Sequence, residues 1–236
     1  MPDLPSESGP LLHQSTTYGS SENGIPLEVY SSGEGSAEIL IMGSIHGDES
    51  LSTVLLSECM RALPFDNLAA HVVLSVNPDG VLAGTRCNAR GVDLNRNFPT
   101  VNWSPNPVLY RNQLDGPRNI ALSPGEAPGS EQETQALIKL IDELRPRLIV
   151  SVHGFLSCID DPDGSPIALD LANRSAMQYV QEIGYATPGS LGSWCKEQHF
   201  PIITYELPVM NIQEMRVIHL PILQDLLTDH YLNMLV

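Results

Sequence analysis

Three short apolar runs, each ending on a residue that can bind a metal or move a proton, constrain this chain more than any other feature. Residues 38–42 (EILIM) lead through Gly43-Ser44-Ile45 to His46, residues 148–152 (LIVSV) lead to His153, and residues 200–206 (FPIITYE) end on Glu206. Short apolar runs bounded by turn residues read as buried strands. Packing alone does not put imidazole and carboxylate at the same end of three strands. Open α/β sheets do, because they build their sites at the carboxyl ends of strands. Residues 51–62 have helical spacing directly after the first run, which gives a strand, a turn and a helix with the polar residues gathered between them.

The rest of the chain extends this alternation. A first strand is expected at 25–30 and another at 71–76, closed by a turn at 77–80. Helices are expected at 130–144, where Ser130 caps, Glu133 follows three residues on and Leu137, Leu140, Ile141 and Leu144 form a stripe, then at 170–183 and 215–234. Residues 83–130 are rich in Gly, Pro, Asn and Arg with little periodicity, and so long an irregular stretch in a compact domain is usually functional. No repeat or linker divides the chain. One α/β domain over residues 1–236 is expected, with 1–20 as a loosely ordered N-terminal arm.

The formal net charge of −16 argues against nucleic acid and against anionic membrane surfaces as partners. No run approaches the roughly 20 apolar residues of a membrane helix, and the polar N-terminus lacks the pattern of a signal peptide, so a cytoplasmic protein is expected. The four scattered cysteines form no CxxC pair and read as free thiols. All but Lys139 and Lys196 of the 12 basic residues are arginines, and arginine suits bidentate capture of a carboxylate.

His46 and Glu49 stand three apart as H-x-x-E, a spacing that lets both face one point, with His153 as a third ligand. Two histidines, one carboxylate and an open position make a catalytic zinc set, and such an ion activates water and polarises a carbonyl. Glu206 would then serve as general base. Each residue also has an ordinary reading: a surface pair, a hydrogen-bonded strand-end histidine, a solvated glutamate. Their shared position after apolar strands favours the joint reading. His13, His71, His199, His219 and His230 read as structural or surface residues.

At this point the motifs resemble a known family. Gly43 to Glu49 resembles the first zinc motif of the zinc carboxypeptidases (the M14 metallopeptidases), Gly91-Val92-Asp93-Leu94-Asn95-Arg96-Asn97-Phe98 resembles their most telling signature, and Ser151 to Gly154 and Thr204 to Leu207 sit where the family has its second zinc histidine and its catalytic glutamate. The resemblance implies a three-layer α/β/α domain with a mixed, largely parallel sheet. It implies one zinc ion on His46, Glu49 and His153, with Glu206 as base and Arg86 at the oxyanion. Asn95 and Arg96 would hold the substrate's terminal carboxylate. Tyr185 matches the mobile tyrosine if one residue is deleted, and Leu191 occupies the place that sets side-chain specificity. Asp48 stands where many secreted members have arginine. The run 189–195 is similar to that of compact bacterial members that cut between γ-D-glutamate and meso-diaminopimelate in recycled cell-wall peptides. The expected partners are a small peptide with a free C-terminal carboxylate and, at most, a second copy of the chain in a homodimer. The ammonium of diaminopimelate calls for an acid, and Asp160, Asp161 or Asp163 could supply one, although Asp-Pro and Asp-Gly are also ordinary turn chemistry. A general metallocarboxypeptidase and an N-acyl amino acid deacylase on the same zinc site are the alternatives. A non-catalytic binding module is disfavoured, because ligands, arginine and base are all present.

Overall fold

The three apolar runs form the middle of one sheet. A computed structural model describes residues 10–11, 13–31, 37–112 and 118–235. Its main sheet contains β1 (Ser15–Ser20), β2 (Pro26–Tyr30), β3 (Ile39–Gly43), β4 (Ala70–Val73), β7 (Leu148–Gly154), β8 (Cys158–Asp160), β9 (Gln178–Val180) and β10 (Ile202–Leu207). The order is β1-β2-β4-β3-β7-β10-β8-β9. The four central strands β4, β3, β7 and β10 run parallel, β1, β2 and β8 join antiparallel, and β9 pairs parallel with β8. The remaining two strands, β5 (Val108–Asn112) and β6 (Arg118–Leu122), form a separate hairpin.

Side-chain alternation sorts the strands' residues onto two faces. Ile39, Ile41, Val150, Val152, Ile203 and Tyr205 pack against α1 (Leu51–Ala62), α4 (Pro166–Ser175) and α6 (Ile212–Leu227). Leu40, Met42, Ile149 and Ile202 pack against α3 (Gln132–Leu144) and α5 (Leu191–Gln198). The sixth helix, α2 (Pro78–Ala83), follows β4. This is the expected three-layer α/β/α arrangement with a mixed, largely parallel sheet.

Several boundaries differ from the sequence reading. Ser15–Ser20 is a strand paired with β2 rather than part of a loose arm, while residues 1–9 and 12 lie outside the described set. The expected turn at 77–80 opens α2, because Asn77 accepts a hydrogen bond from the amide of Gly80 and Pro78 is already set for a first helical turn. The helix expected at 170–183 begins and ends earlier. Ser165 caps it and Pro166 starts it, Ala176 takes a left-handed conformation, and the chain then turns into β9.

Candidate metal and substrate site

The second face changes character toward the carboxyl ends of its strands. Ile149 is followed on the same face by Ser151 and His153, and Ile202 by Thr204 and Glu206. The β7–β10 register sets Ser151 opposite Thr204 and His153 opposite Glu206. One strand over, β3 ends at Gly43, and Ser44 takes a φ of 48°. That conformation is unfavourable for a serine. It is held by a hydrogen bond from the Ser44 amide to Ser52 Oγ at 2.8 Å and a hydroxyl contact with Thr53 Oγ1 at 2.8 Å. The kink lifts the chain out of the sheet. Gly47 follows, where a Cβ would collide with the backbone of Gly80, and its amide donates to the Arg86 carbonyl at 3.2 Å. A short 3₁₀ turn, Gly47–Glu49, then brings Glu49 back beside His46.

His46 Nδ1 lies 2.8 Å from Glu49 Oε1, and His153 Nδ1 lies 3.0 Å from Glu49 Oε2. One ligand atom from each residue falls within a 4.8 Å cluster. All three side chains are buried. Burial pushes the Glu49 carboxyl up, but His46 and His153 outweigh it and hold it well below the usual carboxylate range. A buried anion between two imidazole nitrogens fits a divalent cation, and this donor set is the one catalytic zinc uses.

Two residues hold this cluster in place from behind. Asp93 Oδ1 lies 3.3 Å from His46 Nε2, a contact that stops short of hydrogen-bond geometry, and its Oδ2 accepts from Arg86 Nε at 3.0 Å. Burial raises the Asp93 carboxyl, yet Arg86 and His46 hold it well below its ordinary value. Carboxylates of this kind fix the orientation of a ligating histidine. Arg86 also donates from Nη1 to Glu49 Oε1 at 3.2 Å, and its guanidinium sits 4.4 Å from the centre of the Tyr110 ring on the β5–β6 hairpin. The Tyr110 hydroxyl donates to Asp48 Oδ2 at 3.4 Å.

On the other side of the cluster, buried polar groups lack partners. Glu206 is 7 % exposed, its Oε2 has no hydrogen-bond partner, and burial raises its carboxyl above the ordinary value. Arg96 is 5 % exposed. Its Nη1 donates to the Asn95 carbonyl at 2.6 Å, while its Nε has no partner and burial lowers its pKa. Buried polar atoms in folded proteins are mostly satisfied, and here one atom of each group is free to pair with a ligand beside the cluster. Asn95 Oδ1 accepts the Leu191 amide at 2.8 Å, which ties the 3₁₀ turn Leu94–Arg96 to the start of α5. The Leu191 side chain itself is buried in the apolar layer. Tyr185 is 57 % exposed. Its hydroxyl is raised first by burial and then by Glu206, with Arg96 and Arg86 opposing, so it lies within the electrostatic reach of the site.

His46, Glu49, His153, Glu206, Arg86, Asn95 and Arg96 therefore come together, whereas Leu191 reaches them through its backbone and Tyr185 through its electrostatic influence alone. The remaining histidines are used elsewhere. His13 Nε2 lies 3.1 Å from the Met60 carbonyl, His71 Nδ1 2.7 Å from Ser31 Oγ, and His219 Nδ1 2.7 Å from the Tyr205 hydroxyl. His199 caps α5 in a left-handed conformation and His230 is exposed. Sequence reasoning assigned no role to Asp93, although it lies within the quoted signature, nor to Tyr110, whose irregular surroundings gave no signal. All four cysteines are free and buried. No helix among the described residues is long and apolar enough to cross a membrane.

The sequence profile of the zinc carboxypeptidases matches residues 6–207. The chain is 43% identical over 215 residues to a protein named murein peptide amidase A from Escherichia coli strain K12, covering 90% of this chain and 89% of that one. It superimposes on the crystal structure of the murein-tripeptide amidase of Escherichia coli O157 with a TM-score of 0.90, at 40% identity and 95% coverage of both chains. Carboxypeptidase A from Helicoverpa armigera, 20% identical, shares the fold with a TM-score of 0.63 over 86% of this chain and 61% of its own.

Proposed function

The chain belongs to the zinc carboxypeptidase family, and from that premise we propose that it is a zinc-dependent amidase acting on murein peptides. The bond cleaved would be the one between γ-D-glutamate and meso-diaminopimelate. The substrate class comes from the similarity, over nine tenths of its length, to a protein named murein peptide amidase A. The observation that carries the chemistry is the pair of buried groups near the His-Glu-His cluster that each keep one polar atom without a partner, Glu206 Oε2 and Arg96 Nε.

His46, Glu49 and His153 would hold the zinc, which when bound supplies Lewis-acid activation of water and carbonyl. Glu206 stands opposite His153 in the sheet. It takes the proton of the attacking water on its free carboxylate oxygen and returns it to the departing amine. Its desolvated site raises its basicity toward the working range. Arg86, fixed by Asp93 and Glu49, is a preorganised cation for the developing oxyanion. Arg96, whose Nε lacks a partner, would hold the substrate's terminal carboxylate, with Asn95 beside it. Tyr185, more than half exposed and within the electrostatic reach of Glu206 and Arg96, would cover a bound peptide.

The proposal includes a single catalytic domain and a cytoplasmic location, which the free cysteines suit. The deciding experiment is incubation of the zinc-loaded protein with L-Ala-γ-D-Glu-meso-diaminopimelate, read by mass spectrometry. Release of free diaminopimelate that stops with a chelator and resumes with zinc is expected. An intact tripeptide, with N-acyl amino acids or ordinary peptides cleaved instead, would move the activity to another substrate of the same site.

A further inference from the structure

Resting on that amidase reading, with Arg86 at the oxyanion, we propose that Tyr110 is a positioning residue for the reaction: its ring fixes the Arg86 guanidinium beside the metal cluster without neutralising it. A cation that pairs with a charge formed only in the transition state acts best when it is held still and still charged. Arg86 already faces two carboxylates. Its Nε donates to Asp93 Oδ2 at 3.0 Å and its Nη1 to Glu49 Oε1 at 3.2 Å. Among the described residues, its Nη2 makes no hydrogen bond. A third acid on the guanidinium would tighten it further but would also cancel the charge that the oxyanion needs.

Tyr110 supplies the other kind of contact, one on the face of the guanidinium. The guanidinium carbon lies over the ring, 4.4 Å from its centre. That is within the reach at which the negative face of an aromatic ring attracts a cation. The ring is neutral, so it adds attraction and leaves the formal charge of Arg86 in place. Two hydrogen bonds in the plane of the guanidinium fix its edge and leave it free to tilt. A flat ring against its face opposes that tilt. The ring also keeps water from the covered face, so a charge arriving at Nη2 meets a less screened cation.

The ring is itself held at two places. Its hydroxyl donates to Oδ2 of Asp48, the neighbour of the ligand Glu49, at 3.4 Å. Its backbone sits on β5 opposite Ile120 of β6. Strand β6 runs into Ser123, whose carbonyl accepts the Asp93 amide at 2.9 Å and which bridges to Val92. The hairpin is thus fastened to the segment that carries Asp93, and Tyr110 reaches from it to the arginine that Asp93 holds. Ring and carboxylate are set against Arg86 by one anchored unit, which is what a positioning device requires.

The test is made on the zinc-loaded protein with L-Ala-γ-D-Glu-meso-diaminopimelate. Tyr110→Leu should lower kcat about 3- to 30-fold, the range of a cation on an aromatic face, and change KM less than about twofold. Tyr110→Phe keeps the ring and should restore most of the rate. Replacing that phenylalanine by its trifluoro and then its pentafluoro analogue keeps the shape and weakens the negative face of the ring. The rate should fall stepwise along this series, a trend that a merely structural ring would not give. A phosphinate analogue of the tripeptide, which carries the tetrahedral oxyanion, should bind Tyr110→Leu more weakly by the factor lost in kcat/KM. Zinc content and melting temperature serve as checks on folding, and the fluorinated series stands if Tyr110→Leu does not fold. A wild-type kcat in folded Tyr110→Leu, or a kcat that is flat along the fluorinated series, would overturn the assignment while leaving the amidase reading intact. A wild type that leaves the tripeptide whole, yet cleaves another substrate in a zinc-dependent way, would overturn the amidase reading and this assignment together.

Discussion

The two sides of this site differ in how their buried charges are satisfied. On the ligand side, both Glu49 oxygens, both Asp93 oxygens and two nitrogens of Arg86 have partners within the chain, whereas His46 Nε2 is buried without one. On the other side, Arg96 Nε and Glu206 Oε2 are sheltered from water and have none. The first arrangement is a scaffold that keeps its shape by itself. The second is incomplete until something polar binds. Burying an unpaired polar or charged group costs stability, and a ligand that pairs it recovers that cost.

The difference between the sides can be broken or sharpened by substitution. The largest effect should come from Glu206→Gln, which keeps the shape and removes the base. A fall in kcat of about 10²- to 10⁴-fold is expected, with zinc content by elemental analysis unchanged. If that variant also loses its zinc, the two sides are not separable. Next is Arg96→Gln, expected to lower kcat/KM about 100-fold on a peptide with a free terminal carboxylate and to leave the rate on the amidated peptide as it was. A uniform loss on both peptides would mean that Arg96 supports the fold rather than the substrate. The smallest effect belongs to the ligand side. Asp93→Asn should weaken zinc affinity about 10- to 100-fold in a chelator competition, because the partner of His46 and the anchor of Arg86 are altered together. Unchanged affinity would remove Asp93 from the support of the metal ligands.

Much of this site could be read before the fold was known, and the reason lies in particular residues. His46, His153 and Glu206 follow short, mostly apolar strands, so their place at one sheet edge is a consequence of local sequence. The 3₁₀ turn that carries Asn95 and Arg96 has a recognisable signature. Asp160 was legible only as one of three aspartates in an apparent turn. The strand it belongs to is three residues long and has no periodicity to detect, and it exists because β10 offers an edge for it to pair with. Tyr110 was invisible for a similar reason. Its hairpin is separate from the main sheet, and only tertiary packing brings the ring over Arg86.

The sequence alone thus determined the chemistry available: the donor set for the metal, the base and the arginine-rich signature, all placed by short-range strand and turn rules. The tertiary structure decided which of those groups are satisfied by the chain and which are left for a ligand. That distinction depends on pairings between residues far apart in sequence. The bond from Arg86 to Glu49 spans 37 positions, and that from Asn95 to Leu191 spans 96. Local propensity cannot encode such contacts, because the free energy of satisfying a buried charge is set by whichever atoms the completed fold brings beside it.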